Sequence, residues 1–316
     1  MVLAIRRLAA PLLAALALAG CASSGGKGED ADKKKEDAAP LPDLDRPLLY
    51  QRVNSLTQAW ASAWAGTGEG AAAEARSLET AIAHEVWTHL DEILDDLRSS
   101  ENPRWRAAAS RGLGFVAHER VRPALEKALS DADKGVLNGA LVSLARMADV
   151  NTDDRAVSRL LTFPDLTVQG NAALCLARVF HARRNQDLPV VVPSTRIPSL
   201  EVDLAVLLFR QEDPVVRGSA AQALGALGSP YSEDALLNVL RDEHTFVRVS
   251  AAHGLAQAGT RRSLDFLLDA LAREQEKNVK TVLALAVGAV SERAGHVPPY
   301  AELKTDAAKW RQWLQK

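Results

Sequence analysis

Six stretches of this 316-residue chain repeat one pattern, and no other feature restricts its fold as much. The clearest copy is Asp213-Pro-Val-Val-Arg-Gly-Ser-Ala-Ala-Gln-Ala-Leu-Gly-Ala-Leu-Gly228. Further copies run over Asn102–Gly114, Val136–Ala145, Asp165–Ala177, Phe246–Gly259 and Val279–Gly288, the last one weaker. Successive copies fall 31, 32, 48, 31 and 32 residues apart, so one interval is long and the others are nearly constant. Each copy reads as an Ala-rich helix with apolar residues at helical spacing, followed by a turn. A second helix follows in the first five. Leu125, Val157, Leu204, Leu236 and Leu267 hold equivalent places in it, with Leu129, Leu161, Leu208, Leu240 and Leu271 one turn later. One such helix pair cannot bury its apolar face alone, so stacked neighbours must supply the core. Apolar residues make up 47% of the chain and aromatics only 5%, with Ala and Leu dominant. That balance favours close helix packing over a sheet sandwich.

The motif D-P-x-V-R-x-x-A-A-x-x-L-G resembles HEAT repeats, in particular the short Ala-rich kind also found in the phycobilisome-lyase group. The resemblance covers about residues 102–290. It implies an all-α fold, a right-handed α-α superhelix (a HEAT/armadillo-like solenoid) of about six helix pairs plus terminal capping helices. It also implies that the second helices line the concave surface. The position two residues after each aligned apolar residue then projects there, giving Lys127, Arg159, Val206, Asn238 and Asp269. This column runs from basic through apolar and neutral to acidic. Such a gradient can orient a protein partner by charge, and a plain solvated face has the same composition. Arg106, Leu137, Gln169, Arg217, Arg248 and Lys280 share the basic position of the first helices. The family usually places the motif's Asp and Arg in an inter-repeat polar ladder. A binding stripe is the other reading.

The organisation follows from the repeats: capping helices over 47–99, repeats over 100–295 and a capping helix over 296–316. Leu48, Leu49, Val53, Leu56, Trp60 and Trp64 have helical spacing within 47–65, and a second helix is expected over 73–98. Thr305-Asp306 reads as a helix start, and Trp310, Trp313 and Leu314 are expected to seal the last repeat; an aromatic pair for a partner is the alternative. The long interval places an extended loop at 181–199 between the helices of the third repeat. Its three prolines and β-branched run favour extended backbone. It is either a partner-binding loop, with Arg184, Val191 and Arg196 as candidate contacts, or a tolerated surface insertion.

Residues 1–20 read as an export signal, with Arg6 and Arg7 before a short apolar run from Leu8 to Leu18. That run is too short to span a membrane comfortably. Leu18-Ala19-Gly20-Cys21 resembles the lipobox of bacterial lipoproteins. The resemblance implies cleavage before Cys21, acylation of its sulfur and new amino group, and attachment to the membrane through that lipid anchor. With Ala22 rather than Asp next, Gram-negative sorting rules imply the outer membrane, facing the periplasm. Residues 21–46 hold little to bury and read as a flexible linker.

The remaining features narrow the function. Removing Arg6 and Arg7 leaves 36 basic against 40 acidic side chains, so nothing points to nucleic acid. Cys175 sits in an apolar helical run and reads as a small core residue. His84 and His89 are five residues apart, not the four of H-E-x-x-H, so no metal site is expected. No nucleophile elbow, phosphate loop or CxxC is present. The expectation is therefore a non-enzymatic interaction scaffold or adaptor in the cell envelope, with protein partners, no cofactor and no evident small-molecule substrate. The alternatives are a lyase-like or ligand-binding protein related to bilin lyases, and a purely structural envelope protein.

Overall fold

The computed structural model describes residues 45–66, 70–191 and 197–315. Within them the chain is helical, with no strand. Helices α1 (Arg46–Ala65), α2 (Ala71–Thr88) and α3 (Leu90–Ser99) precede the repeats. The first helices of the repeats are α4 (Pro103–Leu113), α6 (Lys134–Met147), α8 (Leu166–Arg184), α10 (Pro214–Leu227), α12 (Thr245–Ala258) and α14 (Lys277–Arg293). The second helices are α5 (Val121–Ala128), α7 (Asp154–Ser158), α9 (Ile197–Arg210), α11 (Pro230–Asn238) and α13 (Ser263–Arg273). Helices α7 and α11 each run on into a 3₁₀ turn, Arg159–Thr162 and Val239–Arg241. Short α15 (Tyr300–Leu303) and α16 (Ala307–Leu314) close the array.

Local chemistry starts four of the six first helices at an Asp or Asn, whereas α12 and α14 follow His244 and Glu276 without a side-chain cap. The carboxylate of Asp133 accepts from the Gly135 and Val136 amides, and Asp165 does the same for Thr167 and Val168. Asn102 and Asp213 cap α4 and α10, each followed by a proline whose missing N–H is not needed there. Gly228 ends α10 in the left-handed region, where a glycine carries no Cβ penalty.

All ten aligned apolar residues of the second helices are buried. They pack on the first helices, which form the centre of the molecule: 11 residues of α10 are buried. Small residues make that possible. Gly225 of α10 and Gly254 of α12 let the two backbones touch. Consecutive first helices are in extensive contact along the array, whereas second helices touch one another sparingly.

Four expectations needed correction. The helix expected over 73–98 is two helices, broken at His89 (φ −120°, ψ 31°), which turns Leu90, Ile93 and Leu97 inward at the start of α3. The loop expected over 181–199 is shorter, because α8 continues through Arg184 and α9 begins at Ile197. Arg183 explains the first of these limits. Its buried guanidinium donates to the Val150, Thr152 and Val190 carbonyls at 2.8, 2.6 and 2.8 Å, which ties the last turn of α8 to the preceding repeat. Leu48 is exposed rather than core, while Trp60 is buried. At the other end Asp306 caps α16 and Trp310 is fully buried, its Nε1 donating to the Lys304 carbonyl at 3.0 Å. Cys21, its lipobox and the linker up to residue 44 lie outside the described residues; the last two residues of the expected linker are instead the cap and first residue of α1, Asp45 and Arg46.

Candidate interaction surfaces

The basic position of the first helices is used internally. Arg106 forks onto the Asp131 carboxylate at 2.8 and 3.0 Å and reaches back to the Ser100 carbonyl. Arg217 does the same with Asp242 (3.0 and 2.9 Å) and the Gln211 and Glu212 carbonyls. Arg248 repeats it with Glu274 (2.8 and 3.1 Å) and the Asp242 and Glu243 carbonyls. Each rung ties one repeat to the start of the next by a bidentate, charge-assisted pair. Gln169 supplies a neutral rung, donating to the Phe163 carbonyl and accepting from Gln211. Leu137, buried, contributes packing instead. Burial pushes the Asp131 and Glu274 carboxyls up. The arginine forks and neighbouring backbone amides outweigh it and hold both below the ordinary carboxylate range.

A second set of arginines, which the repeat alignment did not single out, caps helix ends. Arg146 donates to the Gly114 carbonyl after α4 and lies 4.0 Å from the centre of the Phe115 ring. Arg184 reaches the Gly225 and Ala226 carbonyls at the end of α10. Arg293 holds the Leu255, Ala256 and Gly259 carbonyls at the end of α12. A cation suits these sites, because the last turn of a helix exposes carbonyls and carries partial negative charge. The visible signal in the sequence was an arginine near the end of a first helix, but its target lies on a different repeat.

The second-helix layer is more open. A groove of about 850 Å³ separates α3 from α5. Leu94, Leu97, Pro123 and Ala124 contribute apolar lining, and Lys127 and Asp131 stand among its charged residues. Arg120 pairs with Asp91 across it at 2.6 Å.

A sequence model of HEAT repeats matches residues 90–177 and 201–288, more than half of the chain. The chain belongs to the HEAT-repeat family. No curated protein matches it. Among solved structures it is similar to the designed armadillo repeat protein YIII(Dq)4CqI at 18% identity, covering 63% of this chain and 98% of that one with a TM-score of 0.48. A designed armadillo repeat protein in complex with the peptide (KR)4 shares 16% identity over 78% and 100% of the two chains, with a TM-score of 0.40. The YibA protein of E. coli shares 17% over 88% and 98%, with a TM-score of 0.48.

In this HEAT array the first helices form the closely packed, more buried inner layer, and the second helices form the more open, outer layer. The column Lys127, Arg159, Val206, Asn238 and Asp269 is solvent-exposed throughout, but it stands on the more widely spaced, outer layer. Small residues account for the difference in packing, since the Ala- and Gly-rich first helices approach more closely than the Leu-rich second helices can. Asp269 is held by Arg311 of α16, and the Asn238 amide donates to the Asp234 carbonyl at 3.0 Å. Of the loop candidates, Arg184 caps α10, Val191 packs half-buried against the core, and Arg196 lies outside the described residues. Cys175 is fully buried, and burial pushes its thiol pKa well up. Among the described residues no group of His, Cys, Asp and Glu is arranged to hold a metal. His84 lies within α2 and His89 is the break residue between α2 and α3.

Proposed function

We propose that this HEAT-repeat protein is a lipid-anchored, periplasm-facing scaffold or adaptor of the cell envelope that binds protein partners and catalyses no reaction. The observation that carries the reading is the contrast between its two layers. The inner polar groups are committed to rungs and helix caps, so the array is a stiff internally bonded body. The outer layer presents an open groove between α3 and α5, with Lys127 among its lining residues. A rigid solenoid with an open face suits recognition of a macromolecule more than turnover of a small one. The anchoring part rests on the lipobox Leu18-Ala19-Gly20-Cys21, and Ala22 favours the outer membrane. Two acyl chains or more give stable attachment where one binds only reversibly.

The test has two arms. Cys21→Ser should move a still-folded protein from the membrane fraction to the soluble fraction; retention in the membrane overturns the anchor. Cross-linking in intact envelopes followed by affinity purification should give protein partners whose yield falls several-fold on Lys127→Glu. Partner yields unchanged by that variant remove the groove from the reading.

A further inference from the structure

Helix α9 breaks the solvation pattern of the outer layer. Relative to the aligned core residue of each second helix, three positions face outward: two before it, two after it and five after it. In α7 and its 3₁₀ turn these are Arg155, Arg159 and Thr162, and in α11 and its turn they are Asp234, Asn238 and Arg241. In α13 they are Asp265, Asp269 and Ala272, and in α5 and the turn after it Pro123, Lys127 and Ser130, so each of these keeps at least two polar positions. In α9 all three are apolar: Val202, Val206 and Phe209, with 56%, 42% and 50% of their surface exposed. Their spacing places them along one stripe of the helix, opposite buried Leu200, Leu204 and Leu208. Three adjacent exposed apolar side chains on a helix that already has a full inner face do nothing for the fold.

On α9 itself Glu201, Asp203 and Arg210 adjoin the stripe, with Glu201 bonded to Ser229; the neighbouring elements add uncommitted arginines. Helix α9 contacts the Arg159–Thr162 turn on one side and α11 on the other. Arg155, Arg159 and Arg241 are exposed and make no ion pair among the described residues. Asp234, on the α11 side, is already held by Arg262 at 2.6 Å. An apolar ridge flanked by uncommitted arginines matches a ligand with an apolar stripe and acidic edges.

We propose that the Val202–Val206–Phe209 ridge docks an amphipathic helix of a partner protein. The apolar face of that helix packs on the ridge, and its Asp and Glu residues meet Arg155 and Arg159. This rests on the scaffold reading and names the chemistry of one partner.

The test places a photo-reactive benzoylphenylalanine, in the full-length chain, at Val206, at Lys127 in the groove, or at Gln222 on the inner layer. Adducts are identified by mass spectrometry from cells making the protein. The expected result is a protein adduct at Val206 whose cross-linked segment has apolar residues at helical spacing and acidic flanks. The double variant Arg155→Glu, Arg159→Glu, with unchanged circular dichroism, should lower that adduct at least fivefold and leave adducts at the other two positions unchanged. Adducts at Val206 with lipid, with a second copy of this chain, or with a segment lacking acidic flanks overturn the proposal. So does the absence of adducts at Val206 when Lys127 or Gln222 captures protein, and in that case the scaffold reading stands. No protein adduct at any of the three positions overturns both.

Discussion

Gly225 on α10 and Gly254 on α12 meet backbone to backbone: a β-carbon on Gly225 would stand 2.2 Å from the Gly254 Cα. The obstacle is main chain, which cannot rotate away as a side chain would. The closeness of the first-helix layer at this point therefore depends on two missing side chains.

Gly225→Ala is expected to destabilise the protein although Ala favours a helix by about 1 kcal/mol over Gly. Forcing the helices apart costs roughly 1–3 kcal/mol or more. Gly170, also inside a first helix, gives the opposite sign. A β-carbon there would meet the Val216 side chain at an ordinary 3.4 Å, so Gly170→Ala should be neutral or stabilising. Thermal unfolding followed by circular dichroism separates the two, with the midpoint falling for the first and holding or rising for the second.

The ladder predicts unequal costs for similar-looking ion pairs. Arg217 and Asp242 keep only 10% and 11% of their side-chain surface. Arg217→Met leaves a largely buried carboxylate without its fork and should cost about 3 kcal/mol or more, part of it recovered by adding Asp242→Asn. Arg262 and Asp234 are more than half exposed, and Arg262→Met should cost under about 1 kcal/mol. Urea unfolding of the single and double variants measures the difference.

Acid stability should fall in two steps. His253 keeps some contact with solvent, but burial, followed by the nearby His181 and Arg178, lowers its pKa from 6.5 to about 4. The unfolded chain therefore takes up this proton first, and the contribution of His253 is lost as pH falls from 6.5 towards 4. For Asp131, Glu233 and Glu274 burial works upward, but their hydrogen-bond donors prevail and the folded pKa values lie below 3.8, 4.5 and 4.5. Their stabilisation is present above the unfolded values and is lost as pH falls through the lower folded ones. His253→Asn should flatten urea midpoints between pH 6.5 and 4. Glu274→Gln should flatten them only below about pH 4.5.

Cys175 should be inert in the folded protein. Its thiol is fully enclosed, and the thiolate is the reactive form that burial disfavours. In the Cys21→Ser variant a thiol reagent should label nothing within minutes under native conditions and one equivalent in denaturant. Rapid native labelling would show that α8 opens locally.

The repeat alone determined the helical array, the helix caps at Asp133, Asp165 and Asp213, and the ten buried apolar residues of the second helices. These are local consequences of spacing and of side chains that bond within three residues of themselves. The arginine ladder was legible as one of two readings, because the recurring Arg position is visible but its carboxylate, 25 or 26 residues away, is not marked as a partner. Tertiary structure decided the rest. How tightly the first-helix layer closes depends on how near Gly225 and Gly254 bring two helices together, and that is a property of the pair. Arg184, taken from the sequence as a loop contact, is a cap for α10 because the fold carries the end of α8 to that helix. Val206 was in the candidate column from the start. Its neighbours Val202 and Phe209 joined it only when burial showed that the inner face of α9 was already complete and these three side chains remained outside.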